Sequence, residues 1–238
     1  MKRPAIEIPE VLTSCMSQGL PEANADKREA RVLLHACCAP CSSAIVEWMV
    51  NHGLQPHIYY YNPNIFPLEE YNIRKLESKR HAESLGLSWT DGDYDHDLWH
   101  RRVCLNQETT EFQMENEPER GRRCQQCFNM RMLAAAKKAK ELGITVFATT
   151  LASSRWKSIE QINRAGIDAQ NQVPGTLFWA QNWRKGGLYE RRNQLLKEFN
   201  FYNQQYCGCE YSRKKEDLKM KDERIKIKDF CHERAETP

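Results

Sequence analysis

Residues 31–53 read RVLLHACCAPCSSAIVEWMVNHG. The run RVLLHA is short and apolar, as a strand buried on both faces would be. SSAIVEWMVNHG has helical spacing and closes on Gly53. Between them, Cys37, Cys38 and Cys41 crowd into five positions. A strand that passes through a short turn into a helix is the repeating unit of a parallel sheet.

The same alternation continues outward. QPHIYYYN is a second strand, rich in β-preferring side chains. LEEYNIRKLESKRHAESLG is a long helix ended by glycine, LSWT a third strand, and the acidic DGDYDHD a loop. CFNMRMLAAAKKAKELG is helical and leads into the strand ITVFATT. SIEQINRAGIDAQNQ is helical again, and VPGTLFWAQNW supplies a last strand and loop. The expected fold class is α/β, a parallel sheet with helices on both faces and its active site at the carboxyl ends of the strands. Three parts are expected: an N-terminal extension over 1–29 with a short helix near NADKREA, a main domain over 30–213, and a charged tail over 214–238. The tail reads as a solvated helix or frayed end, its mixed charge suited to i,i+4 pairing.

Composition narrows the function. The 238 residues are 40% hydrophobic, enough for a packed core, and the net charge of +3 tolerates an anionic partner without requiring one. No apolar run is long enough to span a membrane, and the start MKRPAIEIPEVLTSC lacks the apolar stretch of a secretory signal. A cytoplasmic location is therefore expected, and there ten cysteines point to metal or redox chemistry rather than to structural disulfides.

Seven of them form three groups: Cys37, Cys38 and Cys41; Cys124 and Cys127 in RCQQCF; and Cys207 and Cys209 in YCGCEYS. Cys15, Cys104 and Cys231 stand alone and read as incidental or buried thiols. At a strand-to-helix junction, free N–H groups and the helix dipole stabilise thiolates, the form that both ligation and attack require. Two cysteine pairs suit tetrahedral zinc or an iron–sulfur cluster; the irregular CC favours the cluster without deciding between them. The remaining C-x-C suits a dithiol that cycles with a disulfide.

Taken in order, HACCAPCSS, YYYNPNIFPLEEYNIR, DGDYD, EPERGRRCQQCF, FATTLASSRWKS, NWRKGGLYERR and FYNQQYCGCEYS resemble the QueH-type epoxyqueuosine reductases across about residues 31–213. The resemblance implies an enzyme of tRNA processing. It would remove the epoxide oxygen of epoxyqueuosine at the tRNA wobble position, the last step of queuosine biosynthesis, without cobalamin. It also implies a fold similar to the adenine-nucleotide hydrolase-like (HUP-like) proteins, with inserted helical segments around the metal site. In those proteins a phosphate loop stands where this chain has CCAPCSS, and no Walker-type loop occurs elsewhere, in keeping with an enzyme that does not use ATP.

By motif, Cys37, Cys38, Cys124 and Cys127 are the implied [4Fe-4S] ligands, and Cys207 and Cys209 the redox-active pair. Cys41 either packs beside the site or joins it. An additional iron ion is an extension of the same scheme, with Asp95 as its candidate carboxylate. Many members carry aspartate where this chain has Asn182. The reaction needs a proton donor, for which Tyr94, His96 or a water are candidates; His35 reads as a core histidine. The implied partners are tRNA and an unidentified electron donor, with no membrane. Arg122, Arg123, Arg131, Arg184, Lys185, Arg191 and Arg192 are candidate phosphate contacts, and Trp156, Trp183 and Tyr189 candidate stacking platforms. The rival readings are a zinc-stabilised tRNA-binding module and a thiol–disulfide oxidoreductase.

Overall fold

Strand β1 (Arg31–His35) lies at the centre of a five-stranded sheet in the computed structural model, which describes residues 6–17, 30–104 and 117–213. Its partners are β2 (Gln55–Tyr60) on one side and β4 (Val146–Thr149) on the other. β3 (Trp89–Asp91) and β5 (Leu177–Phe178) form the edges, and every pairing is parallel. Val32, Leu33, Leu34 and His35 are all buried. Successive strand residues point to opposite faces, so the sheet is covered on both sides, as the unbroken apolar run predicts.

The helices are α1 (Glu10–Ser17), α2 (Ala39–Asn51), α3 (Leu68–Ser84), α4 (His96–Val103), α5 (Arg122–Glu141), α6 (Ile159–Gln172) and α7 (Leu188–Glu198). α2 packs with α3 and α7, and α5 packs with α6. The strand order β3-β2-β1-β4-β5 means that the chain builds outward from β1, then crosses back to lay β4 on its other flank. The two halves diverge between the carboxyl ends of β1 and β4, where α/β sheets open a binding crevice.

Several boundaries differ from the sequence reading. α2 starts at Ala39, ahead of the run SSAIVEWMVNHG, because Pro40 in its first turn has no N–H to leave unsatisfied. The β1–α2 turn therefore contains little beyond Cys37 and Cys38. α5 starts at Arg122, so the C-x-x-C lies within its first two turns. DGDYDHD is not a loop throughout, since α4 begins at His96. α7 was not foreseen: LYERRNQLLKE is mostly polar, and only Leu188 and Leu195 are buried.

The helix expected near NADKREA lies outside the described residues. In the described part of the N-terminal segment, Leu12 of α1 joins the core and Ile6 and Ile8 pack against it. The Trp179 indole donates to the Glu7 carbonyl at 3.1 Å. The tail over 214–238 is likewise outside the described residues. No helix among the described residues is long and apolar enough to cross a membrane.

Candidate metal and dithiol centre

The turn after β1 gathers the first three thiols. The sulfurs of Cys37, Cys38 and Cys41 all lie within 4.8 Å of one another, and Cys37 Sγ is 3.8 Å from Cys38 Sγ. From the end of β4, the Thr150 hydroxyl lies 3.3 Å from the Cys37 amide nitrogen and 3.5 Å from its sulfur. Gln204 reaches in from the C-terminal loop, its side-chain amide donating to Cys38 Sγ at 3.0 Å and to Cys41 Sγ at 3.3 Å.

These contacts concentrate negative charge on one sulfur. Hydrogen bonds from the Cys38 and Cys41 thiols hold the Cys37 pKa well below the usual thiol range despite burial, with Lys157 and Arg131 adding positive charge. Burial and the Cys37 thiolate push Cys38 up, and Cys41 is raised to about 12, chiefly because its thiol is hydrogen-bonded to Cys37. A thiolate beside two thiols is a ready ligand set, and a metal binding there displaces the remaining protons. Cys41 belongs to this group geometrically, which its sequence position alone left open.

Cys124 and Cys127, three apart in the first two turns of α5, share a helix face. Cys124 packs against the core that contains Cys37 and Cys38. Burial raises its pKa to about 11 and also raises that of Cys127. The Trp99 indole donates to Cys127 Sγ at 3.3 Å. Trp99, Val103, Cys104, Cys127 and Cys209 form a small buried cluster, so Cys104 is a core thiol.

The third group arrives with the loop after α7. Arg74 of α3 donates to the carbonyls of Tyr206 and Cys207, each at 3.2 Å, and its guanidinium lies over the Tyr206 ring at 5.1 Å. Glu70 pairs with Arg74 at 2.7 Å and accepts from the Tyr202 hydroxyl at 2.8 Å. The Gly208 carbonyl accepts from the Phe66 amide at 2.9 Å. Gly208 has φ +135°, and a Cβ there would stand 3.0 Å from Ile65 Cγ1; both facts call for glycine between the two cysteines. A cavity of about 20 Å3 is lined by Arg123, Cys124, Phe128, Lys157, Cys207 and Cys209, among others, bringing the second and third groups together. Burial raises the Cys209 pKa.

Lys157 links all three groups. Burial opposes its charge, but its place beside Cys207, Cys37 and Cys41 outweighs burial and holds its pKa above the ordinary lysine value. Lys157 and Gln204 lie inside the stretches FATTLASSRWKS and FYNQQYCGCEYS, but neither was singled out as a site residue at the level of sequence. None of the eight cysteines whose side chains are described is in a disulfide. Clustered sulfur donors, with Cys37 favoured as a thiolate, next to fixed cations fit a metal centre.

Other candidates find different surroundings. Asp95 is exposed and caps α4, its carboxylate accepting the Leu98 amide at 2.7 Å. The Tyr94 hydroxyl donates to the Ile65 carbonyl at 2.8 Å. His96 donates from Nδ1 to the Pro63 carbonyl at 2.8 Å, and its Nε2 lies 3.3 Å from Glu210 Oε1. Burial works against its cation, but Glu210 and the Pro63 carbonyl outweigh it and raise the pKa. His35 is a core histidine. Its Nε2–H donates to the Tyr61 carbonyl and its Nδ1 accepts from Thr149, while burial first and then Arg131 lower its pKa to about 3.

Among the basic and aromatic candidates, Arg123, Arg131 and Trp183 are each 2% exposed. Arg131 donates to Asn62 behind the thiols, Arg123 lies over the Tyr211 ring, and the Trp183 indole donates to the Thr149 carbonyl. These three face inward rather than towards a solvent-borne partner. Arg191 is paired with Glu47 at 2.8 Å and with Glu198 at 3.0 Å, and Arg192 donates to Asn193. Arg122 and Lys185 are exposed, as are Trp156 and Tyr189. Asn182 accepts the Arg184 amide through its side chain and serves a turn.

A family model described as "Epoxyqueuosine reductase QueH" matches residues 32–215. Curated relatives with that name are similar over most of their length. One from Acinetobacter baylyi is 47% identical over 193 residues, covering 81% of this chain and 83% of its own. One from Histophilus somni is 46% identical over 182 residues, covering 76% and 72%. One from Haemophilus influenzae is 44% identical over 182 residues, covering 76% and 71%.

Proposed function

Because this chain belongs to the epoxyqueuosine reductase QueH family and is an oxidoreductase, we propose that it reduces epoxyqueuosine to queuosine at the wobble position of tRNA, in the cytoplasm, with a [4Fe-4S] cluster held by Cys37, Cys38, Cys124 and Cys127. Cys207 and Cys209 act as the redox-active dithiol. The observation that carries this reading is geometric: Cys37, Cys38 and Cys41 gather at the switch point of the sheet, Cys124 packs against the core that contains Cys37 and Cys38, and Cys124, Cys207 and Cys209 line one cavity with Lys157.

The reaction balances with the dithiol as reductant. The epoxide takes up two electrons and two protons, its two C–O bonds break, and alkene and water leave; the dithiol gives up two protons and two electrons as its S–S bond forms. The unidentified electron donor then returns the disulfide to the dithiol. When bound, the cluster supplies electron transfer and a Lewis-acidic iron for the epoxide oxygen. The chain's own residues do the remaining work. Arg74 holds the C-x-C turn by its carbonyls, and Lys157 balances thiolate charge. His96, held between the Pro63 carbonyl and Glu210, is the candidate proton donor. An additional iron ion would draw on Cys41, the third sulfur of its group, more readily than on Asp95, which is engaged as a cap. In this reading CCAPCSS occupies the place of the phosphate loop of adenine-nucleotide hydrolase-like folds.

Anaerobic purification followed by iron, sulfide and zinc analysis tests the proposal. Brown protein with about four iron and four sulfide per chain is expected. Colourless protein with stoichiometric zinc would instead mean a zinc-stabilised module.

A further inference from the structure

A second cavity, about 460 Å3 in volume, shares Arg120 and Lys157 with the thiol cavity. Its lining also includes Arg155, Arg184, Glu160 and the start of α6. Four cations thus face one carboxylate, and Glu160 is itself hydrogen-bonded to the Ser158 hydroxyl at 2.6 Å. Two of the three arginines are held in place by carbonyl oxygens. Arg120 donates to the carbonyls of Trp156 at 2.9 Å and Arg155 at 3.0 Å, and Arg184 donates to those of Ser154 and Lys157. No ion pair among the described residues involves Arg120, Arg155 or Arg184. Arg191, on α7, has two carboxylate partners and so has its charge already matched.

Holding like charges together at fixed positions is unfavourable until an anion arrives. Trp156 stands at the rim, 49% exposed, with the Arg155 guanidinium 5.9 Å from its ring centre. Cations that track phosphates, next to an exposed aromatic face, are the two elements of a single-strand nucleic-acid site.

We propose that this cavity binds the RNA backbone next to the reacting nucleotide, with Arg120, Arg155 and Arg184 on phosphate oxygens and Trp156 stacked on a neighbouring base. The inference rests on the tRNA reading above and adds the surface that holds the strand. Because Arg120 and Lys157 line both cavities, a nucleotide docked there lies next to the thiols. Arg155 and Trp156 matter most for a test, since both are exposed and their side chains hold no other element in place.

The experiment measures binding of the full metal-loaded chain to an anticodon stem–loop RNA by fluorescence anisotropy across a salt series. One phosphate contact contributes about 0.7–0.9 to the slope of log Kd against log salt, which makes Arg155→Ala about four- to sixfold weaker at about 0.15 M salt. Its slope should fall by about one contact, and Arg184→Gln should behave alike. Trp156→Ala should weaken binding with the slope unchanged, because stacking releases no counterions. Lys140→Ala, an exposed cation on α5, measures the effect of losing charge in general. If Arg155→Ala matched Lys140→Ala in both affinity and slope while the wild type bound RNA, this surface would be wrong and the tRNA reading would stand. If the wild-type chain showed no salt-dependent RNA binding, both would fall.

Discussion

Arg74→Met should release the Cys207–Gly208–Cys209 turn from α3 while leaving the first two thiol groups intact. Arg74 and Glu70 are each 3% exposed, and their charges meet at 2.7 Å. Removing the guanidinium leaves the Glu70 carboxylate buried with the Tyr202 hydroxyl as partner, and frees the carbonyls of Tyr206 and Cys207. Breaking such a pair from one side costs about 3–5 kcal/mol, a large share of a typical total of about 5–15 kcal/mol. Arg74→Lys keeps a charge, but one ammonium cannot serve Glu70 and both carbonyls, so about 1–3 kcal/mol is expected. Urea unfolding gives these differences directly, and the maleimide labelling rate of Cys207 in the folded protein should rise. A cycle with Glu70→Gln should return a coupling of at least about 1 kcal/mol. The reasoning is refuted if Arg74→Met unfolds within about 0.5 kcal/mol of wild type, or if the two changes are additive and the labelling rate is unchanged.

Three further outcomes are expected. Gly208→Ala places a Cβ 3.0 Å from Ile65 Cγ1 at φ +135°, so about 1–3 kcal/mol of strain should displace the turn. A dithiothreitol redox titration should then show a shifted midpoint at unchanged metal content. Cys207→Ser should abolish multiple turnover with a chemical reductant, and full retained activity would rule out the dithiol relay. His81 meets the rings of Phe199 and Phe201 edge-on, and burial lowers its pKa against the pull of nearby Glu47, with Arg80 adding to the lowering. A histidine whose folded pKa lies below its unfolded value of about 6.5 contributes stability that is present above that pH and lost as pH falls below it. His81→Phe should therefore flatten the acid side of the stability profile, measured by urea unfolding at several pH values.

The five strands, the helices α2, α3, α5 and α6 among them, the buried central strand and the three thiol groups were legible in the sequence, unlike α1, α4 and α7. Each is written in local signals: an apolar run, helical spacing, a closing glycine, cysteines a few positions apart. Partnership across the fold is not local, and it went unread. Arg123, Arg131 and Trp183 look like a nucleic-acid surface in the sequence but are turned inward, because α5 and the loop after β4 close over the thiols. Arg74 looks like an ordinary helix arginine until the loop after α7 returns to it from 132 and 133 positions along the chain. Lys157 gains its meaning only once the chain crosses from β3 back to β4 and sets it among sulfurs from three separate segments. The sequence by itself determined which thiols exist and on which elements they sit. Their neighbours, and the charge each sulfur feels, depend on chain crossings and side-chain burial that only the tertiary structure decided.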